Sequence, residues 1–309
     1  MKKIILLLTL VIYTGVLLAQ QQSMVSQYMF NGLFLNPGYT GSHGKVSTNL
    51  HYRSQWAGFD GAPKTSILSV DGMLKDNKNS LGLILSHDKI GVTSQSDLLL
   101  NYAYHIKTGT NSHLSLGLRG GFGIYGSDAG SLKVWDSEDE MFTNPTNNKF
   151  VPQAGFGAYY YSSNYFAGIS IPTLIAYDKE ESFNLDVQKS SIYHRHYYLH
   201  SGIVHTINDD VKIKPTVLIK YLPEAPVQAD LNVNFLFYNM IWTGVSYRTG
   251  EAIVGIAEYQ TDFGLRIGYS FDYTLKRIRN FSYGSHEILL GYDIVKKKSS
   301  SSNKNPRLL

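Results

Sequence analysis

The sequence predicts an all-β protein, an antiparallel up-and-down transmembrane β-barrel of about 14 strands and of the outer-membrane type. Three observations predict it. Segments of alternating apolar and polar residues recur at short intervals from residue 46 to residue 294. The leader "MKKIILLLTLVIYTGVLLAQ" joins two lysines to an apolar run, Ile4 to Leu18, and a small residue at Ala19, the layout of an export signal cleaved after Ala19. Beyond it no run reaches the roughly 18 apolar residues of a membrane-crossing helix, so strands are the remaining way to span a bilayer.

Taken in order, residues 1–19 are the expected signal peptide. No cysteine follows, which leaves no lipoprotein anchor, disulfide or thiol chemistry. Residues 20–45 are an expected periplasmic, plug-like segment. Its stretch "QQQSMVSQYMFNGLFLNPGYTGS" is too aromatic for a flexible leader, and it is expected to fold into or under the periplasmic mouth with Tyr28, Phe30, Phe34 and Tyr39 buried. Residues 46–295 are the expected barrel, and 296–309 a basic, Ser-rich disordered tail.

Within the barrel, strands are expected at roughly 46–56, 63–74, 79–90, 95–107, 112–126, 150–161, 164–171, 193–207, 211–222, 227–238, 241–249, 251–258, 262–273 and 285–294. The fifth, "LSLGLRGGFGIYG", carries a literal G-x-G-x-x-G at Gly121, Gly123 and Gly126. A phosphate-binding loop would open a helix, but "SDAGSLKVWDSEDEMF" follows with no helical apolar period. Leu114, Leu116, Leu118, Phe122 and Ile124 instead alternate with Ser115, Gly117, Arg119, Gly121 and Gly123, one face for lipid and one for the lumen. "VQADLNVNFLF" and "FGLRIGYSFDY" alternate in the same way over the length of a tilted membrane strand. Residues 251–258 have no clean face. A soluble β-sandwich would bury the same apolar faces against a second sheet, and the export signal favours the barrel.

Loop lengths agree. With a periplasmic N-terminus, even-numbered connections should be tight turns, and "KDNK", "TGTN", "SS", "NDD", "YNM" and "YQTD" are. The long connections, 127–149, 172–192 and the stretch around "LKRIRNFSYG", all fall on the outer side. Composition fits as well. The leader holds two basic residues and the tail five, so residues 20–295 carry −3 of the chain's +4, which leaves no nucleic-acid surface.

The stretches "SQYMFNGLFLNPGYTGS" and "LHYRSQWAGFDGAPKTSILSVDG" carry Ser26, Gln27, Tyr28, Asn36, Pro37, Tyr52, Arg53, Gln55, Trp56 and Pro63. Farther on, "KYLPEAPVQADLN" and "WTGVSYR" carry Gln228, Asp230, Asn232, Tyr247 and Arg248. In these residues the chain resembles the PorP/SprF family of type IX secretion and gliding-motility membrane proteins of Bacteroidetes. The resemblance implies an outer-membrane location, partners among the periplasmic and outer-membrane components of type IX secretion, and a secreted surface protein as cargo. It implies no cofactor.

Other candidates come from the residues alone. In "YHRHYYLH", His194, His196 and His200 share one strand face, but same-face steps of about 7 Å let only two share an ion. "DSEDE", Asp136 to Glu140, gathers four carboxylates in an expected outer loop, without the spacing of a calcium loop. Arg53, Arg119, Arg248 and Arg266 lie in the lumen phase of their strands, as do Asp230, Asp272, Glu287 and Asp293. An arginine facing lipid at mid-membrane would cost about 2–4 kcal/mol. They read as an ion-pair lattice stiffening the barrel, or as a selectivity surface for a solute. No G-x-S-x-G, H-E-x-x-H or cysteine nucleophile points to catalysis.

Overall fold

The computed structural model describes residues 24–128, 146–176, 195–223 and 225–294. The expected signal peptide, the acidic loop 136–140, His194 and the tail lie outside them. Strands β1 to β7 are Val46–Ser54, Lys64–Met73, Asn79–Ile90, Thr93–Lys107, His113–Ser127, Thr146–Tyr161 and Tyr165–Ala176. Strand β8 is Tyr197–Ile203 continued by His205–Thr206, interrupted at Val204, whose N–H turns to the Asn164 carbonyl (2.6 Å). Strands β9 to β14 are Val211–Tyr221, Gln228–Phe237, Ile241–Arg248, Ala252–Gln260, Leu265–Thr274 and Ser285–Ile294.

Each strand pairs antiparallel with its neighbours in sequence, and β1 pairs with β14 from Val46↔Ile294 to Ser54↔His286. The sheet therefore closes into a 14-stranded barrel. Closure follows from the solvent: in hydrocarbon every backbone N–H and C=O must pair within the protein, and an open edge would leave a row unpaired.

Side chains alternate as the pleat requires. Outward-facing Leu100, Leu118, Leu231 and Val245 are more than half exposed, and Arg119, Asp230, Asn232, Arg248, Arg266 and Asp272 on neighbouring positions are buried inside. Leu231→Arg is expected to cost about 2–4 kcal/mol of barrel stability in lipid. The check is the fraction of heat-modifiable, fast-migrating protein after refolding into vesicles.

The two ends of the barrel differ. One carries the tight turns, such as Leu74–Lys78, where Asp76 accepts from the backbone N–H groups of Asn79 and Lys78 (3.0 Å each). Those bonds hold its carboxyl down at about 2. The other end carries the connections from β5 to β6 and from β7 to β8, together with the loops around Trp56 and Phe281. These two loops are stitched together by Ala57 N–H to Gly284 O (2.7 Å) and Tyr283 N–H to Ala57 O (2.8 Å).

Strand β12 alternates without a fault, although its sequence has no clean face. The reason lies inside. Val254 and Ile256 face the lumen yet pack on apolar residues of the N-terminal segment, so apolar side chains stand on both sides of the strand.

Candidate functional site

Residues 24–45 lie inside the barrel. Two short 3₁₀ turns, Tyr28–Phe30 and Pro37–Tyr39, are their only regular structure. Asn36 shapes the second: its Oδ1 accepts from Gly38 N–H (2.7 Å), and Pro37 supplies a first-turn residue that needs no donor. Val25, Tyr28, Met29, Phe30, Leu33, Phe34 and Leu35 are buried against Ile67, Ile84, Leu99, Tyr198, Leu218, Leu236, Trp242, Val254, Ile256 and Leu289 of the wall. At about 1.5–3 kcal/mol for each fully buried large apolar side chain, this is a second core, built across the lumen. Among the cavities between segment and wall, one measures about 30 Å³ and another about 10 Å³, room for a water molecule or so in each.

An irregular segment shut away from bulk water must find partners for its backbone groups, and wall side chains supply them. Near the tight-turn end, Gly41 N–H donates to Asp71 Oδ2 (2.7 Å), which also meets His43 Nε2 (2.9 Å). Next, Asn36 Nδ2 donates to the carbonyls of Ala158 (3.0 Å) and Ile169 (3.3 Å). This turn lies directly on strand backbone. A Cβ at Gly117 would strike the Pro37 carbonyl carbon and one at Gly157 the Asn36 side chain, both inside the 3.0 Å that real Cβ atoms respect. Arg119 then donates to the carbonyls of Leu33 (2.6 Å) and Phe34 (3.2 Å), and Asn31 Nδ2 to Ser69 Oγ (2.9 Å). Lys214 Nζ reaches the Met29 carbonyl (3.3 Å) and lies 5.5 and 5.9 Å from the Phe166 and Trp242 ring centroids.

At the start of the segment the partners become charged. Glu287 accepts from Ser26 N–H (2.6 Å) and Gln27 N–H (3.1 Å) with its two oxygens. Ser26 Oγ donates to Asp272 (2.7 Å) and accepts from Arg53 Nη1 (2.8 Å). Arg53 also bonds Asp272 (2.7 Å) and approaches Glu287 (3.4 Å). Arg248 continues this cluster to Asp230 (3.1 Å), Glu251 (3.5 Å) and Asp272 (3.6 Å), while Arg266 meets Glu258 (3.4 Å) and Asp293 (4.0 Å).

The family described as type IX secretion system membrane protein PorP/SprF matches residues 17–292. The chain belongs to the PorP/SprF family. No curated protein sequence matches it. Among solved structures, it is similar to the toluene transporter TodX of P. putida, with a TM-score of 0.51, 9% identity, and coverage of 86% of this chain and 94% of that one. A Pseudomonas aeruginosa FadL homologue (TM-score 0.45, 11% identity, 87% and 94% covered) and Omp33 of Acinetobacter baumannii (0.45, 7%, 81% and 97%) are more distant. At such identities the likeness is one of fold.

The residues by which the chain resembles PorP/SprF proteins fall in several places. Ser26, Gln27, Tyr28, Asn36, Pro37, Arg53, Asp230, Asn232 and Arg248 meet in the lumen, where Asn232 Nδ2 donates to the Tyr28 hydroxyl (2.6 Å). Tyr52 and Tyr247 point outward. Gln55, Trp56 and Pro63 shape the β1–β2 loop, in which Gln55 N–H donates to Pro63 O (2.9 Å) and Trp56 N–H to Ser285 Oγ (3.0 Å). Gln228 bonds Glu251 at the mouth.

Four contributors lie outside those motifs. Glu287 was legible only as an inward charge. Lys214 shows nothing in its pattern, and Gly117 and Gly157 read simply as small lumen residues. The inward apolar positions do leave a trace, since Leu83-Ile84-Leu85, Leu98-Leu99-Leu100 and Ile288-Leu289-Leu290 break the alternation where a wall residue meets the segment.

His196 and His200 are both buried. His200 stacks on Tyr159 (5.5 Å) and His196 on Tyr198 (6.1 Å), which makes them packing residues of an aromatic cluster. Ser80 Oγ lies 2.6 Å from His105 Nε2, a contact that on paper resembles a nucleophile with its base. The same nitrogen lies 3.0 Å from the Thr40 carbonyl, which can only accept, so Nε2 carries the hydrogen. Nδ1 then accepts from the Tyr161 hydroxyl (2.9 Å), and His105 has no lone pair facing Ser80.

Proposed function

We propose that this PorP/SprF protein is a non-enzymatic outer-membrane component or accessory of type IX secretion, closed by its own N-terminal segment. In that role it assists the secretion or surface attachment of a cargo such as a gliding or adhesion protein. One observation carries the reading: the segment and the wall form one packed, hydrogen-bonded interior across the lumen. A barrel so filled works through its surfaces. The tight-turn end then faces the periplasmic secretion components, and the long-loop end faces cargo, as loop lengths favour.

Affinity purification of the tagged protein from outer membranes tests this. It is expected to bring down type IX periplasmic components and a large surface protein, and recovery of the barrel alone would contradict it. A second reading, a channel for a small polar solute, is favoured by the wall's own ion pairs. Arg248–Asp230 and Arg266–Glu258 would persist if the segment left. On that reading the intact protein conducts.

A further inference from the structure

We infer that this barrel threads its N-terminal segment through the whole lumen and presents the start of that segment at the cell surface. The inference takes the long-loop end as outer, as above, but does not depend on secretion as the role. Strand β5, which runs from the tight-turn end to the long-loop end, acts as a ruler. Thr40 O bonds His105, the register partner of Ser115, the Pro37–Gly38 turn lies on Gly117, and Leu33 and Phe34 carbonyls are held by Arg119. Going backward along the segment therefore means climbing the wall, one inward position at a time, with no return.

The climb continues above β5. Gly41 is bound by Asp71, the register partner of Ser47, and Ser26 by Glu287, the register partner of Arg53. Ser47 to Arg53 is six positions on β1, or about 20 Å of strand and, at the usual tilt, about 15 Å along the barrel axis. On the opposite wall, Met24 Sδ meets Lys220 Nζ. Lys220 is the last but one residue of β9 and pairs with Gln228, the first of β10, so Met24 stands at the final rung before the 222–227 loop. A plug held from below would start and end at one mouth. This one enters at the tight-turn end, where Lys45 leads into β1, and reaches the other end at Met24. Met24 is thereby brought to the long-loop mouth, beside Lys220 and the Arg248–Glu251 pair.

The absence of native cysteines makes the test clean. In intact cells, Met24→Cys paired with Lys220→Cys, or with Gln228→Cys should the lysine variant not fold, is treated with a short bis-maleimide. A bridged species with shifted gel mobility is expected for these pairs, and none for Met24→Cys with Asn239→Cys at the tight-turn end. Separately, Phe281→Cys is expected to react with an impermeant maleimide on intact cells, and Asn239→Cys only after the outer membrane is permeabilised. Bridging to Asn239, failure to bridge in both outer-end pairs, or reversed labelling overturns the inference. Failure to capture secretion partners leaves it standing.

Discussion

Deleting residues 24–42 is expected to convert a barrel that does not conduct into one that does, with an increase in single-channel conductance from baseline to a clear ohmic step. The segment packs seven large apolar or aromatic side chains into the lumen against the wall. A 14-stranded wall encloses more than its own inward side chains can fill, unlike one of about eight strands. The backbone ladder is complete without the segment, because every strand pairs with two others, so the wall is expected to survive its removal. Gly157→Val provides a second test with the segment still present. The new side chain would occupy the place of the Asn36 amide, displacing the turn that seats the segment, and intermittent openings are expected. Planar-bilayer recording of both variants checks this, and baseline currents in both would argue against a segment that closes the pore.

Arg53→Met is expected to have the largest effect of any single substitution on stability, about 3–5 kcal/mol, because it leaves buried carboxylates without their closest cation. Arg53 is 3% exposed and joins three groups at once, Ser26, Asp272 and Glu287. Asp272 would keep the Ser26 hydroxyl (2.7 Å) and, as its cation, the more distant Arg248 (3.6 Å), and Glu287 would keep His51 (3.3 Å) and the Ser26 and Gln27 amides. The temperature at which the folded, fast-migrating band disappears from gels reports the loss. Adding Asp272→Asn should recover part of it, since a neutral amide costs less to leave buried. Arg277→Met, exposed on a loop at the long-loop end, is expected to stay within about 0.5 kcal/mol of the parent protein.

Much of the fold was legible because lipid imposes a period of two. "FGLRIGYSFDY" could be read correctly to the individual side chain: Arg266 and Asp272 are inside, Ile267 and Tyr273 outside. The reading weakened where its premise of a watery lumen failed. Val254, Ile256, Leu99 and Leu289 face inward but meet the segment, so their strands look apolar on both sides. The aromatic content of residues 20–42 signalled burial. Its depth was not legible, since partners such as Glu287 and Arg53 lie 234 positions apart in the chain and come together only when β1 closes on β14. Gly117 and Gly157 show the same limit. In the sequence they are small residues of a strand, and only the fold reveals another backbone lying on them.

Trp242 tests the central claim most directly, that lipid surrounds a barrel filled by its own N-terminal segment. It faces inward at 2% exposure, with its ring centroid 5.7 Å from that of Phe30. In a single-tryptophan protein, with Trp56 and Trp135 replaced by phenylalanine, its fluorescence in vesicles is expected to resist both aqueous acrylamide and brominated lipid. Quenching by acrylamide would mean a water-filled lumen, and quenching by brominated lipid would put the inner face outside; either result would contradict the account.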